Sequence, residues 1–292
     1  MTIYVRPFVV QPKIPEISVD QPARILTIAG SDSGGGAGIQ ADIRSITMLG
    51  GHALTAITSL TAQNTQGVSA IDVVSPQMVI AQIDAVVTDI GVSAIKIGMI
   101  GSGEVAVAVA DYLEKIPNIP VVLDPVMVAT SGSALADEKT IQAFDRLMYR
   151  ADLITPNIPE LEVLTKQDCS SDASLIAAAQ QLARHYDCPI LAKGGHGEGE
   201  ILTDRLVMPD GEVISWQDSR IPTQNTHGTG CSLSSAIATS LGQGLPLKEA
   251  ITRARQYIRT ALEKAPSLGK GHGPIGHTLG ISAFDRWFLE NN

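Results

Sequence analysis

Short runs of β-branched and other apolar residues alternate along the chain with longer stretches in which apolar residues recur every three or four positions. The first pattern predicts buried strands, and the second predicts helices packed on a sheet. The predicted strands are Ile25–Ala29, Ala53–Ser59, Ala94–Gly98, Val121–Asp124, Leu153–Thr155 and Ile190–Lys193. The predicted helices are Met78–Thr88, Glu104–Lys115, Ile141–Met148, Ser174–Tyr186 and Leu233–Leu241. This alternation indicates an α/β protein with helices on both faces of a mainly parallel sheet.

Two further runs have no helical stretch between them. Leu202–Met208 and Val213–Trp216 flank the turn sequence Pro209-Asp210-Gly211, so we expect a hairpin and an antiparallel edge of the sheet. The first 22 residues carry four prolines and no periodic pattern, which predicts an irregular arm. Residues 23–292 contain no linker or repeat, and we expect them to form a single domain.

Composition excludes several classes of function. Thirty acidic residues against 21 basic ones give a formal net charge of -9, the wrong sign for binding nucleic acid. No apolar run approaches the roughly 20 residues that span a bilayer, and the N-terminal stretch has no signal-peptide core, so we expect no membrane partner. The cysteines Cys169, Cys188 and Cys231 cannot all pair within one chain, which favours the reducing cytoplasm.

A glycine-rich segment, Gly30-Ser31-Asp32-Ser33-Gly34-Gly35-Gly36-Ala37-Gly38, lies between the first strand and its helix. It lacks the lysine of a Walker loop, and Ile39 stands where a dinucleotide fingerprint needs glycine. Backbone without side chains at the carboxyl end of a strand still lets a ligand approach closely. We therefore expect a ligand-binding loop here, with a tight turn of no further function as the alternative.

A second segment, Asn225-Thr226-His227-Gly228-Thr229-Gly230-Cys231, leads directly into a predicted helix. Its amides and the positive end of the helix dipole predict a phosphate or oxyanion cradle. Cys231 falls in the first turn, where the same field is expected to lower the thiol pKa and to make it a proton acceptor. A buried, inert cysteine is the alternative. His227 receives no role.

Three charged residues follow other predicted strands. Asp124 and Glu160 offer carboxylates at the edge of the sheet where open α/β folds bind ligands, and such oxygens suit a magnesium–phosphate complex. Lys193 comes before two glycines and suits contacts to a triphosphate. The alternatives are a helix cap for either acid and a solvated surface lysine.

The segments AGSDSGGGAGIQAD, LTAQNT, KIGM, LDPVM, ITPNIPE, KGGH and NTHGTGCSLSSAIA occur in this order from roughly Ala23 to Leu262. Together they resemble the hydroxymethylpyrimidine and phosphomethylpyrimidine kinases of thiamine biosynthesis. Gly-Thr-Gly-Cys is specific, since most of the ribokinase-like superfamily has aspartate in place of the cysteine. The resemblance implies a ribokinase-like three-layer sandwich, commonly a homodimer.

The resemblance also implies an activity and a site. The activity is phosphoryl transfer from ATP with Mg²⁺, first to the hydroxymethyl group of the pyrimidine and then to the resulting phosphate. The substrate contacts it implies are Gly30, Asp42, Gln63, Met99 and Val126. The catalytic residues it implies are Gly228, Thr229, Gly230 and Cys231. The nucleotide and metal contacts it implies are Thr226, Asn157, Lys193, Glu160 and Asp124, the last two for the metal.

Two other functions remain open at this point. A pyridoxal or pyridoxine kinase would use the same cradle for a related hydroxymethyl heterocycle. A non-catalytic pyrimidine-binding protein is the other, since one fold hosts unrelated functions. The intact Gly-Thr-Gly-Cys segment with Lys193 and Glu160 argues against a loss of catalysis.

Overall fold

The computed structural model describes residues 21–127, 135, 138–196 and 199–279. The predicted N-terminal arm therefore lies almost wholly outside the described residues. The strands are β1 (Arg24–Asp32), β2 (His52–Asn64), β3 (Gly67–Val73), β4 (Ala94–Ile97), β5 (Val121–Leu123), β6 (Leu153–Ile154), β7 (Ile190–Ala192), β8 (Ile201–Val207) and β9 (Val213–Ser219). The helices are α1 (Gly38–Met48), α2 (Pro76–Asp89), α3 (Gly103–Leu113), α4 (Glu138–Arg150), α5 (Ile158–Thr165), α6 (Asp172–Tyr186), α7 (Thr229–Gly242) and α8 (Leu247–Glu263), with a short 3₁₀ helix at Gly194–His196.

The described strands form a single sheet in the order β3-β2-β1-β4-β5-β6-β7-β8-β9. The six strands from β2 to β7 in this order pair in parallel, whereas β3 at one edge and the β8–β9 hairpin at the other are antiparallel. The predicted mainly parallel sheet and the predicted hairpin are both confirmed. All carboxyl ends of the parallel strands therefore open on the same edge.

Helices cover both faces of this sheet, and each face has its own apolar core. One core packs α2 to α6 against side chains such as Leu26 and Ile28 of β1. The other packs α1, α7 and α8 against the opposite face, where Ile25 of the same strand points. The alternation within β1 follows from the period of two in a strand, which sends neighbouring side chains to opposite faces. The predicted three-layer α/β architecture is confirmed.

The structure adds elements that the hydrophobic pattern did not delimit. The strand β3 was not predicted, because five of its seven residues are exposed and it lacks a buried alternating face. Helices α1, α5 and α8 also had no predicted bounds. Several predicted strands extended one residue too far, as at Gly98, Asp124 and Lys193, where the chain leaves the ladder. Across the described ranges, no helix combines the length and the apolarity that crossing a membrane requires.

Candidate active site

A pocket of about 860 Å³ opens at the carboxyl ends of the parallel strands. It collects residues from both halves of the chain, including every residue expected at the site except Asp42. Those pocket residues are Gly30, Gln63, Met99, Asp124, Val126, Asn157, Glu160, Lys193, Thr226, Gly228, Thr229, Gly230 and Cys231. Residues far apart in sequence thus share one cavity, as the strand-end positions predicted.

The carboxylate of Asp32, the last residue of β1, joins the two glycine-rich segments. It accepts hydrogen bonds from the backbone N–H groups of Gly34 at 2.8 Å, Gly36 at 3.0 Å and Ala37 at 2.8 Å. Its Oδ2 also lies 2.9 Å from Nε2 of His227. Burial by itself would raise the pKa of Asp32, but the contacts with His227 and the backbone N–H groups outweigh it and lower that pKa. Asp32 is therefore held as a carboxylate.

The same two segments touch through their backbones. Gly228 has φ of 82°, and a Cβ built on it would lie 1.8 Å from the carbonyl oxygen of Gly36. A Cβ on Gly36 would in turn lie 2.4 Å from Cδ2 of His227. A larger residue at Gly228 would have to move the backbone of Gly36, and a larger residue at Gly36 would have to displace the ring of His227. The glycines expected to admit a ligand are thus also required for the packing of one loop on the other.

The second glycine segment becomes the start of α7. Its N-cap is Gly228, and no side chain caps the first turn. The first-turn amides of a helix have no partners within the helix, and they meet the positive end of its dipole. Thr229 stabilises the approach to the helix, since its Oγ1 donates to the carbonyl oxygen of Thr226 at 3.0 Å. The arrangement suits a bound anion such as a transferring phosphoryl group.

Cys231 lies in this first turn, but its expected acidity is wrong for the structure as it stands. Burial raises the pKa of Cys231 to about 11, and this effect exceeds the opposing influence of Lys96. A hydrogen bond from the backbone N–H of Gly38 also favours the thiolate. Asp42 and Asp124 disfavour it through their negative charge. The position at a helix start does not by itself produce an acidic thiol, because desolvation acts on the same sulfur.

Lys193 is held between two carboxylates rather than solvated. Its Nζ lies 2.7 Å from Oδ1 of Asp124 and 3.9 Å from Oε2 of Glu160. Only 12% of the Lys193 side chain is exposed, which excludes the alternative of a solvated surface lysine. Burial opposes its charge, but the two carboxylates prevail and raise the pKa of Lys193. A Cβ built on Gly230 would lie 3.3 Å from this Nζ, so the ammonium faces the cradle directly.

Glu160 both caps a helix and lines the pocket. Its Oε2 accepts from the N–H of Asn157 at 2.8 Å, and Oδ1 of Asn157 accepts from the N–H of Glu160 at 2.9 Å. This reciprocal capping box starts α5. Burial raises the pKa of Glu160 to about 7, against the opposing charge of Lys193.

The carboxylates of Asp124 and Glu160 are the candidate ligands for magnesium. No cluster of three or more His, Cys, Asp or Glu side chains that would hold a metal by itself occurs among the residues described. Magnesium bound with phosphates commonly takes only one or two carboxylates from the protein and fills its other positions with phosphate oxygens and water. Asp124 and Glu160 fit that requirement, because both line the pocket beside the anion cradle.

One end of the pocket, away from the start of α7, is lined by Gly30, Gln63, Met99 and Val126. The backbone of Gln63 is fixed by Ser33, whose Oγ donates to its carbonyl oxygen at 2.7 Å and accepts from its N–H at 2.8 Å. Nε2 of Gln63 lies 3.3 Å from Nε2 of His227. A Cβ on Gly30 would lie 3.1 Å from Sδ of Met99. This end therefore combines one positioned amide with an apolar wall.

Asp42 is not brought to the pocket with the others. It is fully buried in α1, and its carboxylate accepts from Nζ of Lys96 at 2.9 Å, Oγ1 of Thr27 at 2.6 Å and Oγ of Ser235 at 2.7 Å. With these three partners the hydrogen bonds of the Asp42 carboxylate are made to groups inside the protein. The expected contact between Asp42 and a substrate is therefore corrected to a place beneath the pocket.

A family model for phosphomethylpyrimidine kinase matches residues 32–276, which is most of the chain. The chain belongs to the phosphomethylpyrimidine kinase family. This finding confirms the family that the sequence motifs resemble.

Several relatives extend this result. The hydroxymethylpyrimidine/phosphomethylpyrimidine kinase of Rhizobium meliloti is 43% identical over 269 residues, covering 91% of this chain and 98% of the relative. The enzyme of that name from Haemophilus influenzae is 41% identical over 258 residues, covering 87% and 96%. The thiamine biosynthesis bifunctional protein ThiED of Geobacter sulfurreducens is 48% identical over 257 residues and 87% of this chain. The chain spans only 52% of that protein and about a third of two related multifunctional proteins.

Solved structures support the same fold. Pyridoxal kinase of Bacillus subtilis, in complex with ADP, is similar with a TM-score of 0.82 and 29% identity, covering 89% of this chain and 98% of that one. A phosphomethylpyrimidine kinase from Clostridium difficile is similar with a TM-score of 0.73 and 35% identity, covering 82% and 99%. The ribokinase-like fold expected of the family is thereby confirmed.

The far end of the pocket was not anticipated from the sequence of this family member. It is lined by Leu202, Asp204, Asp218, Arg220, Ile221, Pro222, Thr223, Arg255, Ile258, Arg259 and Leu262. Arg255 of α8 forms ion pairs with Asp204 and Asp218 of the hairpin, which hold the helix against β8 and β9. The amphipathic pattern of α8 was the available signal, but it carries no motif.

The first prediction concerns Asp32→Asn, which removes the negative charge that joins the two loops. We expect the free energy of unfolding to fall by about 1–3 kcal/mol near neutral pH, because an amide cannot replace all four contacts. Since the folded pKa of Asp32 lies below its ordinary 3.8, this contribution is complete above about pH 4 and is lost as pH falls through the folded pKa. Urea unfolding at neutral and acidic pH measures both effects.

The matched control for that experiment is Asp72→Asn, the same change at an exposed position of β3. Its effect should stay within about 0.5 kcal/mol at either pH. Equal losses in the two variants would show that the Asp32 contacts contribute no special stability.

Proposed function

We propose that this protein is an ATP-dependent kinase that phosphorylates 4-amino-5-hydroxymethyl-2-methylpyrimidine and then converts the monophosphate to the diphosphate. The observation that carries the proposal is the layout of one continuous pocket. A small compartment with an amide and apolar walls lies at one end, an uncapped helix start with a buried lysine lies between, and a mixed apolar and charged region lies at the other end. A heterocyclic alcohol and a nucleotide would meet at the helix start.

The compartment at Gln63 suits a methylated aminopyrimidine. The ring has two flat faces, and the thioether of Met99 with the side chain of Val126 offers an apolar surface for them. Its polar edge needs a hydrogen-bonding partner, and the amide of Gln63 supplies both a donor and an acceptor. Gly30 leaves space in this compartment, because it has no side chain.

The helix start and Lys193 would hold the transferring phosphoryl group. The N–H of Thr229 donates to the carbonyl oxygen of Thr226 at 3.3 Å, so the amides of Gly228, Gly230 and Cys231 would be the donors where negative charge develops. The ammonium of Lys193 faces the same space. Magnesium, when bound with the nucleotide, would neutralise phosphate charge beside Asp124 and Glu160. Catalysis of this type consists mainly of positioning and charge stabilisation, which are the properties of these residues.

The remainder of the nucleotide would extend towards the hairpin and α8. Leu202, Ile221, Pro222, Ile258 and Leu262 contribute apolar side chains at that end and suit the flat base of a nucleotide. Asn157 and Thr226 also line the pocket, and they would help to position the triphosphate.

Cys231 is the proposed proton acceptor for the first transfer. Its thiol is mainly protonated in the ligand-free pocket at neutral pH, since its pKa is about 11. Transfer to an alcohol therefore favours conditions that stabilise the thiolate. The second transfer needs no such base, because the substrate phosphate is already largely ionised with a second pKa near ~6. The two reactions should depend differently on the sulfur.

Pyridoxal kinase is the second candidate function. The similarity to the pyridoxal kinase of Bacillus subtilis supports it, because the two structures match over 89% of this chain. Pyridoxal and the pyrimidine share a hydroxymethyl group on a flat aromatic heterocycle. The two functions are distinguished by competition between both substrates at limiting concentration.

The family resemblance implies a homodimer, and the cysteine usage favours the cytoplasm; both statements stay predictions. Light scattering of the purified protein would measure its mass in solution.

The proposed activity is tested directly by product mass. Incubation of the protein with hydroxymethylpyrimidine and MgATP should yield products heavier by one and then by two phosphates. An equimolar mixture with pyridoxal should yield mainly the pyrimidine products. Binding of the pyrimidine without any turnover would instead support a non-catalytic protein, and preferred use of pyridoxal would make the second candidate correct.

A separate prediction concerns Cys231→Ser, which keeps the backbone cradle but offers a poorer proton acceptor. Phosphorylation of the alcohol should slow by about 10²–10⁴-fold, while phosphorylation of the monophosphate should be affected far less. Separate assays with the two substrates measure the difference. Cys169→Ser is the control, since Cys169 is buried and does not line the pocket. Equal proportional losses on both substrates would withdraw the role of proton acceptor from Cys231.

The last prediction of this kind concerns Gln63→Ala. Pyrimidine binding should weaken by about 0.5–1.5 kcal/mol, the net value of one hydrogen bond, while ATP binding changes little. Calorimetric titration with each ligand separately measures both affinities. The exposed Gln167→Ala serves as the control. If both ligands lost affinity equally, Gln63 would have no specific part in pyrimidine recognition.

A further inference from the structure

A buried ion pair lies directly beneath the pocket, between Lys96 of β4 and Asp42 of α1. Both side chains are 0% exposed, and Nζ of Lys96 lies 2.9 Å and 3.1 Å from the two carboxylate oxygens. Thr27 of β1 and Ser235 of α7 donate to the same carboxylate. Four elements that surround the pocket therefore converge on this pair.

Such a pair needs a reason to be present. Taking two charges out of water costs several kcal/mol per ion, and a well-packed apolar pair is often as stable or more stable. Lys96 lies in a central strand of the sheet, and the other buried residues of that strand are Ala94, Ile95 and Ile97. Stability alone is thus weak grounds for a lysine at this position.

The geometry connects the pair to Cys231 through two helices. On α7, Ser235 follows Cys231 by four residues, and on α1, Asp42 follows Gly38 by four residues, so each couple shares a helix face. The Oγ of Ser235 donates to Oδ1 of Asp42 at 2.7 Å. The ion pair is thus held against α7 one helical turn after Cys231.

We propose that Lys96 is a positioning residue for phosphoryl transfer, whose ammonium, fixed by Asp42, stabilises the thiolate form of Cys231 from beneath the pocket. The proposal rests on the proposed function, in which Cys231 accepts the proton of the alcohol. It adds the source of the positive charge that this step needs. Neither Lys96 nor the ion pair touches the space where substrate would lie.

Several charged groups act on the sulfur of Cys231, and their combined effect decides whether the ion pair raises or lowers the pKa of this thiol. The charged groups around it are Lys96, Asp42, Asp124 and Lys193, and His227 precedes it by one turn. Burial raises the pKa of Cys231 most, Lys96 lowers it, and Asp42 raises it less than Lys96 lowers it. Reciprocally, the negative charges of Asp42, Cys231 and Asp124 raise the pKa of Lys96 against its burial. The pair therefore acts on the thiol as a net positive charge.

Two variants separate these charges. Lys96→Met removes the ammonium and leaves the buried Asp42 carboxylate without its ion-pair partner, whereas the double variant Lys96→Met/Asp42→Asn removes both charges. The double variant keeps the buried region neutral, so it remains informative if Lys96→Met does not fold. Circular dichroism reports folding of each protein. Lys248→Met, the same change at an exposed position of α8, is the matched control.

The readout is alkylation of Cys231 by iodoacetamide in the protein without ligands, followed by mass analysis of the peptide that contains it. Loss of a nearby positive charge raises a thiol pKa by about 1–3 units. The thiolate fraction falls tenfold per unit while the remaining thiolate becomes about threefold more reactive, so alkylation slows by about threefold per unit. We expect wild type and Lys248→Met to react fastest, the double variant to be intermediate, and Lys96→Met to be slowest. Unchanged alkylation in the folded double variant, or in a folded Lys96→Met, would overturn the proposal.

A second readout connects the thiol to the reaction. In the double variant, the pH profile for phosphorylation of the alcohol should move to higher pH, while the profile for the monophosphate stays in place. A purely structural role for Lys96 would lower both rates without moving either profile, and that result would also overturn the proposal. Failure of the proposed function is distinguishable, because alkylation would still follow the order above although Cys231→Ser slowed both transfers equally.

Discussion

The hydrogen bonds to the carboxylate of Asp32 set the relation between the two glycine-rich segments. Three backbone N–H groups of the first segment and His227 of the second share this acceptor. The proposed pyrimidine end and the proposed anion cradle are built from different parts of the chain, and the proposed phosphoryl transfer requires them at a defined separation. One buried carboxylate, supported by the close contact of Gly36 with Gly228, maintains that separation.

Much of this arrangement follows from the sequence for simple reasons. Runs such as Ile25–Ala29 and Ala94–Gly98 are short, apolar and β-branched, so strands could be placed from pattern alone, and polar residues after them were expected to meet at one edge. The strand β3 escaped because its side chains are exposed. Helix α8 repeats buried Ala250, Ile251, Ala254 and Ile258 at helical spacing, so its signal was present without a motif to draw attention to it.

The burial of individual side chains could not be predicted from the sequence pattern in the same way. The motif that contains Asp42 resembles a substrate-binding segment. The carboxylate of Asp42 nevertheless accepts hydrogen bonds from Thr27, Lys96 and Ser235, which lie on three other elements. The prediction of a lowered pKa for Cys231 was wrong for a related reason, because a helix start lowers the pKa of a thiol whereas burial raises it. Local sequence shows which residues follow a strand, whereas the solvation of each one depends on everything packed around it.

The pocket divides along the chain as well as in space. Gly30, Gln63, Met99 and Val126 lie before Asn157, whereas Lys193, the helix start and the region near α8 follow it. Under the proposed function, ring recognition is encoded in the first stretch, and phosphate handling is encoded in the second apart from Asp124, which lies two residues before Val126. Substitutions in the first stretch that spare Asp124 would then change which alcohol is accepted while the phosphate site retains its chemistry. Asp32 and His227 are the residues through which the two stretches must stay compatible.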